Sequence, residues 1–279
     1  MIRKNCFIVI FLMMMSQVAF TQQKVGLVLS GGGALGFAHI GALQALEEVG
    51  IQPSVVAGTS MGALVGVLCA DGKSAAEIMQ IVQDEKLYRN SRLLKLNLSK
   101  EPGIYNLDAI RQLLQRLIPS NSFDSLPRPF VACVMNLTEA VPEYVSSGNQ
   151  LSEYVIASAS IPTIFEAQTI NGVQYTDGGM LNNFPAQPIR DKCDFLIGID
   201  VLPLTHKKAE RSYESMLYGL RAVQHVNSLP GHALCDLLIE VHAIDTYSEF
   251  DFKDYKAIYQ IGYDTTKKLL QEKGFTTTK

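Results

Sequence analysis

Two glycine-rich turns, each between a β-type run and a helical pattern, most strongly constrain how this chain can fold. The run at residues 24–30 is followed by three glycines and by a helical pattern over about residues 35–49. A second β-type run at residues 53–57 leads through another glycine-flanked turn into a small-residue helix that reaches about Asp71. This order of strand, helix, strand and helix predicts a βαβ unit with a right-handed crossover.

The later β-type runs favour one α/β domain over residues 24–279. Residues 195–201 and 237–242 are rich in Ile, Leu and Val, as are interior strands covered on both faces. Residues 168–176 contain an Asn-Gly turn between two apolar runs, which predicts a hairpin. Residues 86–103 have no clean period and are interpreted as a loop or partial cover over a site.

Composition and charge exclude several classes of protein. The chain is 47% hydrophobic and 18% charged, which is typical of a folded globular protein. Its formal net charge is -3, and no run rich in Lys or Arg occurs. A nucleic-acid partner is therefore not expected.

The amino terminus is typical of a signal peptide over residues 1–23. Arg3 and Lys4 precede an apolar stretch at residues 6–15, which is too short for an ordinary membrane span. The polar residues Thr21, Gln22 and Gln23 suit a cleavage site. We expect a secreted or periplasmic protein; an uncleaved anchor is the alternative.

Cysteines and histidines provide no metal-ligand spacing, so no metal or other cofactor is predicted. The four cysteines after the signal form an even set that is compatible with disulfides in an oxidising compartment. Three of them stand among apolar residues, as buried free cysteines do. Both interpretations stay open for Cys69, Cys133, Cys193 and Cys235.

The strongest candidate for chemistry is Ser60, the centre of the motif Gly58–Thr59–Ser60–Met61–Gly62 at a strand-to-helix turn. Such a G-x-S-x-G turn is sharp enough to lift a serine hydroxyl above the edge of the sheet, and flanking glycines avoid clashes with the neighbouring elements. The helix that follows favours developing negative charge near its amino terminus. The alternative is a glycine-rich turn kept for packing alone.

The glycine run at Gly31, Gly32 and Gly33 is compatible with two kinds of binding site. Their backbone N–H groups are suited to bind an oxyanion. Together with Gly36, the run also matches the G-x-G-x-x-G pattern of dinucleotide sites, but that pattern requires Asp or Glu at the end of the second strand, where Ala57 and Gly58 stand. The oxyanion reading is therefore preferred.

A third motif, Asp177–Gly178–Gly179, follows the predicted hairpin. Asp-Gly is a common turn dipeptide, so the motif alone is weak evidence. It becomes a candidate for the general base because the serine turn and the glycine loop still lack one.

In this order the three motifs resemble those of the patatin-like phospholipase family, over about residues 25–185, with residues 157–162 also similar to a family block. The resemblance implies a three-layer α/β/α fold with a mostly parallel central sheet. It also implies a Ser60–Asp177 dyad and oxyanion donors at Gly31, Gly32 and Gly33. The remaining motif glycines would support these groups: Gly36, Gly58, Gly62, Gly178 and Gly179. Leu35 departs from the family pattern, which usually has Arg or Lys there, and this puts electrostatic help from a cation in doubt.

The resulting hypothesis is a serine lipid acyl hydrolase of the phospholipase A or lysophospholipase type, with peripheral membrane contact. The alternatives are a non-lipid serine esterase and a catalytically idle lipid-binding relative. His39 is assigned to packing and hydrogen bonding. A catalytic histidine after Asp177 is formally possible, at His206, His225, His232 or His242.

Overall fold

A computed structural model describes residues 23–89, 95–96, 105–204 and 212–275. The strands are β1 Val25–Leu29, β2 Val55–Thr59, β3 Lys95–Leu96, β4 Tyr105–Asn106, β5 Phe130–Asn136, β6 Val141–Val145, β7 Gln168–Ile170, β8 Val173–Asp177, β9 Phe195–Asp200 and β10 Leu237–Glu240. The α-helices are α1 Phe37–Glu48, α2 Met61–Ala70, α3 Ala75–Asp84, α4 Asp108–Leu117, α5 Leu151–Ser158, α6 Ser212–His232 and α7 Tyr255–Glu272.

The central sheet has eight strands in the described residues, in the order β10-β9-β1-β2-β5-β8-β7, with β6 paired to β5. The pairs from β10 to β5 are parallel, whereas β6, β7 and β8 join by antiparallel pairs. Because parallel strands end at one edge, the segments after β1, β2 and β9 meet there. The sheet is mostly parallel, as expected.

Alternation along the strands divides the core between the two faces of the sheet. Leu27 and Leu29 of β1 pack on the face that carries α1, α2, α3 and α7, while Val28 packs on the opposite face. That opposite face is covered by Phe184 and by the short helix Gln187–Lys192. Apolar side chains on both faces of β1 explain why its sequence shows no polar alternation.

Several local predictions are confirmed. The βαβ unit forms as β1, α1 and β2, and the hairpin forms as β7 and β8. Within residues 86–103, Lys95 and Leu96 form β3, which pairs antiparallel with β4 just beyond this segment. Residues 90–94 and 97–103 lie outside the described residues. Residues 1–22, with nearly all of the predicted signal peptide, also lie outside them.

The helix predicted near residues 211–226 was placed too short, since α6 continues through Pro230 to His232. Pro and Gly at positions 230 and 231 are local stop signals, but here the end of the helix packs closely on Phe184. Tertiary contact therefore overrides the local preference. This extension brings His232 to the sheet.

Candidate active site

Ser60 lies on a strained turn between β2 and α2. Its backbone angles are φ 55 and ψ -124, a conformation that L residues rarely adopt. A side chain at Gly58 would collide with the carbonyl of Gly62, and one at Gly62 would collide with the carbonyl of Leu29. The two glycines are therefore required by the tight approach of β2, α2 and β1, and the turn is the sharp elbow that the motif predicts.

Asp177 stands beside Ser60 because both strands are paired to β5. Thr59, the last residue of β2, is opposite Cys133, and Asp177, the last residue of β8, is opposite the next residue, Val134. The Ser60 hydroxyl donates a hydrogen bond to the Asp177 carboxylate. The sheet register thus brings the predicted nucleophile and base together.

The Asp177 carboxylate is buried, and no charged group of the described residues pairs with it. It is 3% exposed, and Ser60 is 6% exposed. Burial raises the pKa of Asp177 from 3.8 to about 7, while hydrogen bonds from the Ser60 hydroxyl and the Gly179 N–H (2.8 Å) oppose the rise. A carboxylate with a pKa near neutrality is a far better proton acceptor than one in water.

The backbone of the elbow is held from below. The Ser60 N–H donates to Ser158 Oγ at 2.9 Å, and the Ser158 hydroxyl donates to the carbonyl of Cys133 at 2.6 Å. Thr59 donates its hydroxyl to the carbonyl of Asn182 at 3.1 Å. Ser158 belongs to the family-like block at residues 157–162, whose role the sequence did not specify. The structure assigns it to positioning the nucleophile.

The glycine loop lies against Ser60, but its three N–H groups are not equivalent. A side chain at Gly31 would lie 3.1 Å from the Ser60 Cβ. The Gly31 N–H donates to the carbonyl of Asn183 at 3.2 Å. In the described residues no backbone or side-chain acceptor takes the N–H groups of Gly32 and Gly33. The Gly31 N–H is therefore engaged within the fold, and the N–H groups of Gly32 and Gly33 are the donors left for the predicted oxyanion site.

Gly33 and Gly36 are glycines for steric reasons. Gly33 has φ +54, and a side chain there would meet the carbonyl of Glu249. At Gly36 a side chain would overlap Met61, the residue after the nucleophile. Leu35 is fully buried in the core beside them. A cation at position 35 would therefore lose its hydration in this fold.

His39 stabilises the loop, as expected, and is no base. Its Nε2 donates to the carbonyl of Ser30 at 2.9 Å. Burial lowers the pKa of His39 to about 4, so the imidazole is neutral. Among the described residues no histidine hydrogen-bonds Ser60 or Asp177; His206 lies outside them.

Sequence reasoning missed the asparagines that hold the Asp177 motif. Asn227 of α6 accepts the N–H of Asn183 at 2.8 Å and donates to the carbonyls of Gly179 and Met180 at 3.1 and 3.3 Å. Gly178 packs on the carbonyl of Cys133, and a side chain at Gly179 would approach Asn183 Oδ1 to 2.7 Å. Asn183 lies four residues after Gly179, whereas Asn227 is far along the chain with no local signal.

A mixed cluster of possible metal ligands lies at the end of β9 and β10. One ligand atom from each of Asp200, His232 and Glu240 lies within 4.8 Å of the others. Asp200 Oδ2 and His232 Nε2 are 3.2 Å apart, which also fits a simple ion pair. The four cysteines, which fall within the described residues, are all free, with Cys69 and Cys133 buried.

A narrow apolar cavity lies against helix α2, whose first residue, Met61, follows the nucleophile in sequence. Met61, Leu64 and Leu68 of α2 line it together with residues from α1, α3 and α4, and every lining residue is apolar. Its volume is about 70 Å³. The cavity can accept hydrocarbon but offers no polar group for a headgroup.

Comparison with known proteins identifies related sequences and a related fold. The mouse patatin-like phospholipase domain-containing protein 6 is 26% identical over 88% of this chain and 20% of its own length. Lysophospholipase nte1 of Emericella nidulans is 26% identical over 90% of this chain and 18% of its own length. The chain therefore spans about a fifth of the length of these relatives.

The crystal structure of VipD from Legionella pneumophila shares the fold, with a TM-score of 0.59 and 16% identity over 90% of this chain and 67% of that chain. This likeness confirms the three-layer α/β/α architecture. The family profile for patatin-like phospholipase matches residues 27–189. Because the profile spans more than half of the chain and includes all three glycine motifs, this protein is a member of the patatin-like phospholipase family.

Proposed function

We propose that this protein hydrolyses lipid acyl esters through a covalent acyl-enzyme. One observation carries the proposal: Ser60, on a strained elbow, donates its hydrogen bond to the buried Asp177 carboxylate, whose pKa is raised to about 7. A serine that donates to a neutral-range base is the arrangement that nucleophilic catalysis requires. The names of the relatives support a phospholipase or lysophospholipase substrate.

Acylation follows from the geometry. Asp177 accepts the proton of Ser60 while Ser60 Oγ forms a bond to the ester carbonyl carbon, and the carbonyl oxygen takes the negative charge. The N–H groups of Gly32 and Gly33 bind this oxyanion. When the tetrahedral intermediate collapses, the alcohol leaves with the proton held by Asp177.

Deacylation reverses these roles with water as the nucleophile. Asp177 accepts a proton from water, the hydroxide attacks the acyl carbon, and Ser60 leaves with that proton as the fatty acid is released. No step requires a metal or a nucleotide. A carboxylate has no tautomer to fix, so a third residue such as the aspartate of a Ser–His–Asp triad has no role here.

The apolar cavity beside Met61 supports a hydrocarbon substrate. Met61, the residue after the nucleophile, is among its lining residues, so the part of an acyl chain nearest the ester can lie against this apolar wall. An apolar lining that excludes water also strengthens the electrostatic interactions at the reacting carbonyl. A short aryl ester uses little of this cavity.

Exposed apolar side chains surround the same edge and support peripheral contact with a lipid surface. In the described residues the large exposed apolar side chains lie on four segments: α6, the β5–β6 hairpin, the residues after β9, and the segment around Glu249. Each segment makes a hydrogen bond to a catalytic motif or to a residue next to one. They are Leu137, Val141, Tyr144, Leu204, Val223, Val226, Leu229 and Phe250.

Helix α6 gives this rim its most exposed part, with Val226 63% exposed. From residue 218 to residue 232 its one Lys, Arg, Asp or Glu side chain is Arg221, which is buried near Glu249. Val226→Asp should weaken sedimentation with phosphatidylcholine vesicles while hydrolysis of a soluble aryl ester is unchanged. If Val226→Asp and the wild type bind vesicles equally, membrane contact through α6 is contradicted.

We further propose that the mature protein works outside the cytoplasm, with its amino terminus near residue 24. The charged and then apolar amino terminus supports this. Within the described ranges, no helix has the length and apolarity to cross a membrane. Mass spectrometry of natively expressed protein should find a new amino terminus near residues 21–24; an intact Met1 in the cytoplasmic fraction contradicts secretion.

A hydrolysis screen tests the activity. Purified protein is assayed on phospholipids, lysophospholipids, neutral lipids and short aryl esters, with Ser60→Ala as the matched control. We expect Ser60-dependent release of fatty acid, faster from a long-chain lipid than from an aryl ester. Turnover of aryl esters alone favours the non-lipid esterase, and no Ser60-dependent turnover favours the idle relative.

A further inference from the structure

Asp200, at the end of β9, lies directly beneath the glycine loop. Its carboxylate accepts a hydrogen bond from the Ser30 hydroxyl and another from the Leu202 N–H at 2.8 Å. Ser30 Oγ in turn accepts the N–H of Val201 at 3.0 Å. Ser30 immediately precedes the three glycines. The position of the loop is therefore fixed at its first residue by a carboxylate that does not touch the substrate.

The second oxygen of this carboxylate faces His232 of α6. Asp200 Oδ2 and His232 Nε2 are 3.2 Å apart, and both side chains are more than nine-tenths buried. The His232 ring packs edge-on against Phe184, with centroids 4.6 Å apart. Phe184 follows the asparagines after the Asp177 motif. The pair thus joins the glycine loop to the helix that also holds the other half of the site.

Helix α6 contacts both halves of the catalytic machinery. Through Asn227 it holds the loop of Asp177, and through His232 it reaches Asp200 and Ser30. A buried polar pair adds little stability by itself, and apolar side chains of similar volume often stabilise as well. What the contact between Asp200 and His232 adds is direction, because two polar atoms 3.2 Å apart constrain the orientation of both side chains.

We propose that Asp200 and His232 are positioning residues that hold the N–H groups of Gly32 and Gly33 at the distance from Ser60 that the oxyanion requires. The inference rests on the proposed acyl-ester hydrolysis. Loss of one oxyanion donor typically costs about 100- to 1,000-fold in rate, and a displacement of about 1 Å can cost about 100-fold. A loosened loop retains part of the oxyanion stabilisation, so we expect a loss in kcat of about 10- to 100-fold.

The test is a graded set of variants. Asp200→Asn and His232→Leu should lower kcat about 10- to 100-fold with KM within about twofold, because the loop acts on the transition state. His232→Gln keeps an N–H donor toward Asp200 and should stay within about threefold of the wild type. If His232 only filled space beside Phe184, Leu would be tolerated better than Gln.

Asp236→Asn is the matched control. Like Asp200, Asp236 accepts a backbone N–H, here that of Leu196 of β9 at 2.7 Å, and it pairs with Arg190. It lies before the first residue of β10, at the ends of the parallel strands that are opposite to the active site. Its kcat should stay within about twofold of the wild type. Thermal unfolding of each variant establishes the folded fraction to which the rates are normalised.

Labelling by an alkyl fluorophosphonate separates this inference from the proposed function. In this reaction Ser60 Oγ bonds to phosphorus, fluoride leaves, and negative charge develops on the phosphoryl oxygen at the oxyanion position, so Asp200→Asn should be labelled about 10- to 100-fold more slowly. Wild-type protein that neither hydrolyses esters nor labels at Ser60 contradicts the proposed function. An active wild type with a folded Asp200→Asn of equal kcat and labelling rate contradicts the inference alone.

Two further outcomes bear on the pair. If Asp200→Asn does not fold, the contrast between His232→Leu and His232→Gln decides, and equal rates for these two overturn the proposal. If EDTA lowers the wild-type kcat as Asp200→Asn does and zinc restores it, then Asp200, His232 and Glu240 form a metal site. That result also overturns the role of the ion pair.

Discussion

Asp177 and Asp200 are both buried aspartates beside the same site, yet their charges are balanced in opposite ways. Burial raises the pKa of Asp177 to about 7, because its partners are an uncharged hydroxyl and one N–H. Burial acts on Asp200 in the same direction, but the facing His232 imidazole and hydrogen bonds from Leu202 and Ser30 hold its pKa below the ordinary value. The partner, and not the depth of burial, decides which carboxylate can serve as a base.

The comparison predicts stability changes of opposite sign. The folded-state pKa of Asp177 lies above 3.8, so the folded state keeps a proton that the unfolded state loses, and stability falls as the pH rises from about 4 to about 7. Asp177→Asn removes this cost and should stabilise the fold at pH 8 by on the order of 4 kcal/mol, with little change at pH 4.

Asp200→Asn should do the reverse. Its depressed pKa contributes stability above the unfolded value, and this stability is lost as the pH falls through the folded value. Breaking a buried pair costs about 3–5 kcal/mol. Urea unfolding of both variants at pH 4 and pH 8 measures the two effects; changes of the same sign at pH 8 break the comparison.

The same contrast predicts the pH dependence of hydrolysis. Because Asp177 must be ionised to accept the Ser60 proton, kcat should rise about tenfold per pH unit below an inflection near pH 7 and then level off. Asp200→Asn should lower the whole curve without moving the inflection. A curve that is flat from pH 5 to pH 8 indicates that Asp177 is not the base.

Asn227 extends the comparison to an uncharged side chain that holds the loop after Asp177. Asn227→Ala removes three hydrogen bonds from the loop that follows Asp177, so the base should lose its fixed position. We expect kcat to fall about tenfold, with stability reduced by about 1–3 kcal/mol. Steady-state kinetics and thermal unfolding measure both, with exposed Gln260→Ala of α7 as the control. An unchanged kcat would contradict a role for Asn227 in positioning Asp177.

The smallest effect is expected at His39. Its imidazole is neutral and supplies one hydrogen bond to the carbonyl of Ser30. His39→Gln can keep an N–H donor, so kcat should change by no more than about fivefold, with no shift in the pH profile. A large loss of kcat in folded His39→Gln gives this histidine a role beyond support.

The local parts of the site could be predicted from the sequence. Ser60 and its flanking glycines form a contiguous motif, and the strand and helix around them follow from apolar pattern. Asp177 was chosen because a base was missing. Its placement opposite Val134 depends on strand pairing that no local pattern reveals.

The remaining parts depend on distant contacts. The bond between Val201 and Ser30 joins residues 171 positions apart, and Asn227 lies 48 positions from Gly179. The engagement of the Gly31 N–H by Asn183 likewise appears only when the loop after β8 is folded against the glycines. Such contacts carry no signal in one sequence, because tertiary packing and not local propensity creates them.

The central claim is that Asp177 is the base for Ser60, and kinetics of substituted proteins test it most directly. Asp177→Asn keeps the side-chain size and the bond to Gly179 but removes the basicity. We predict that the folded variant loses about 10²–10⁴-fold in kcat, nearly as much as Ser60→Ala, while Ala substitutions at His206, His225 and His242 keep substantial turnover. An active Asp177→Asn, together with a folded histidine variant as inactive as Ser60→Ala, would contradict the dyad.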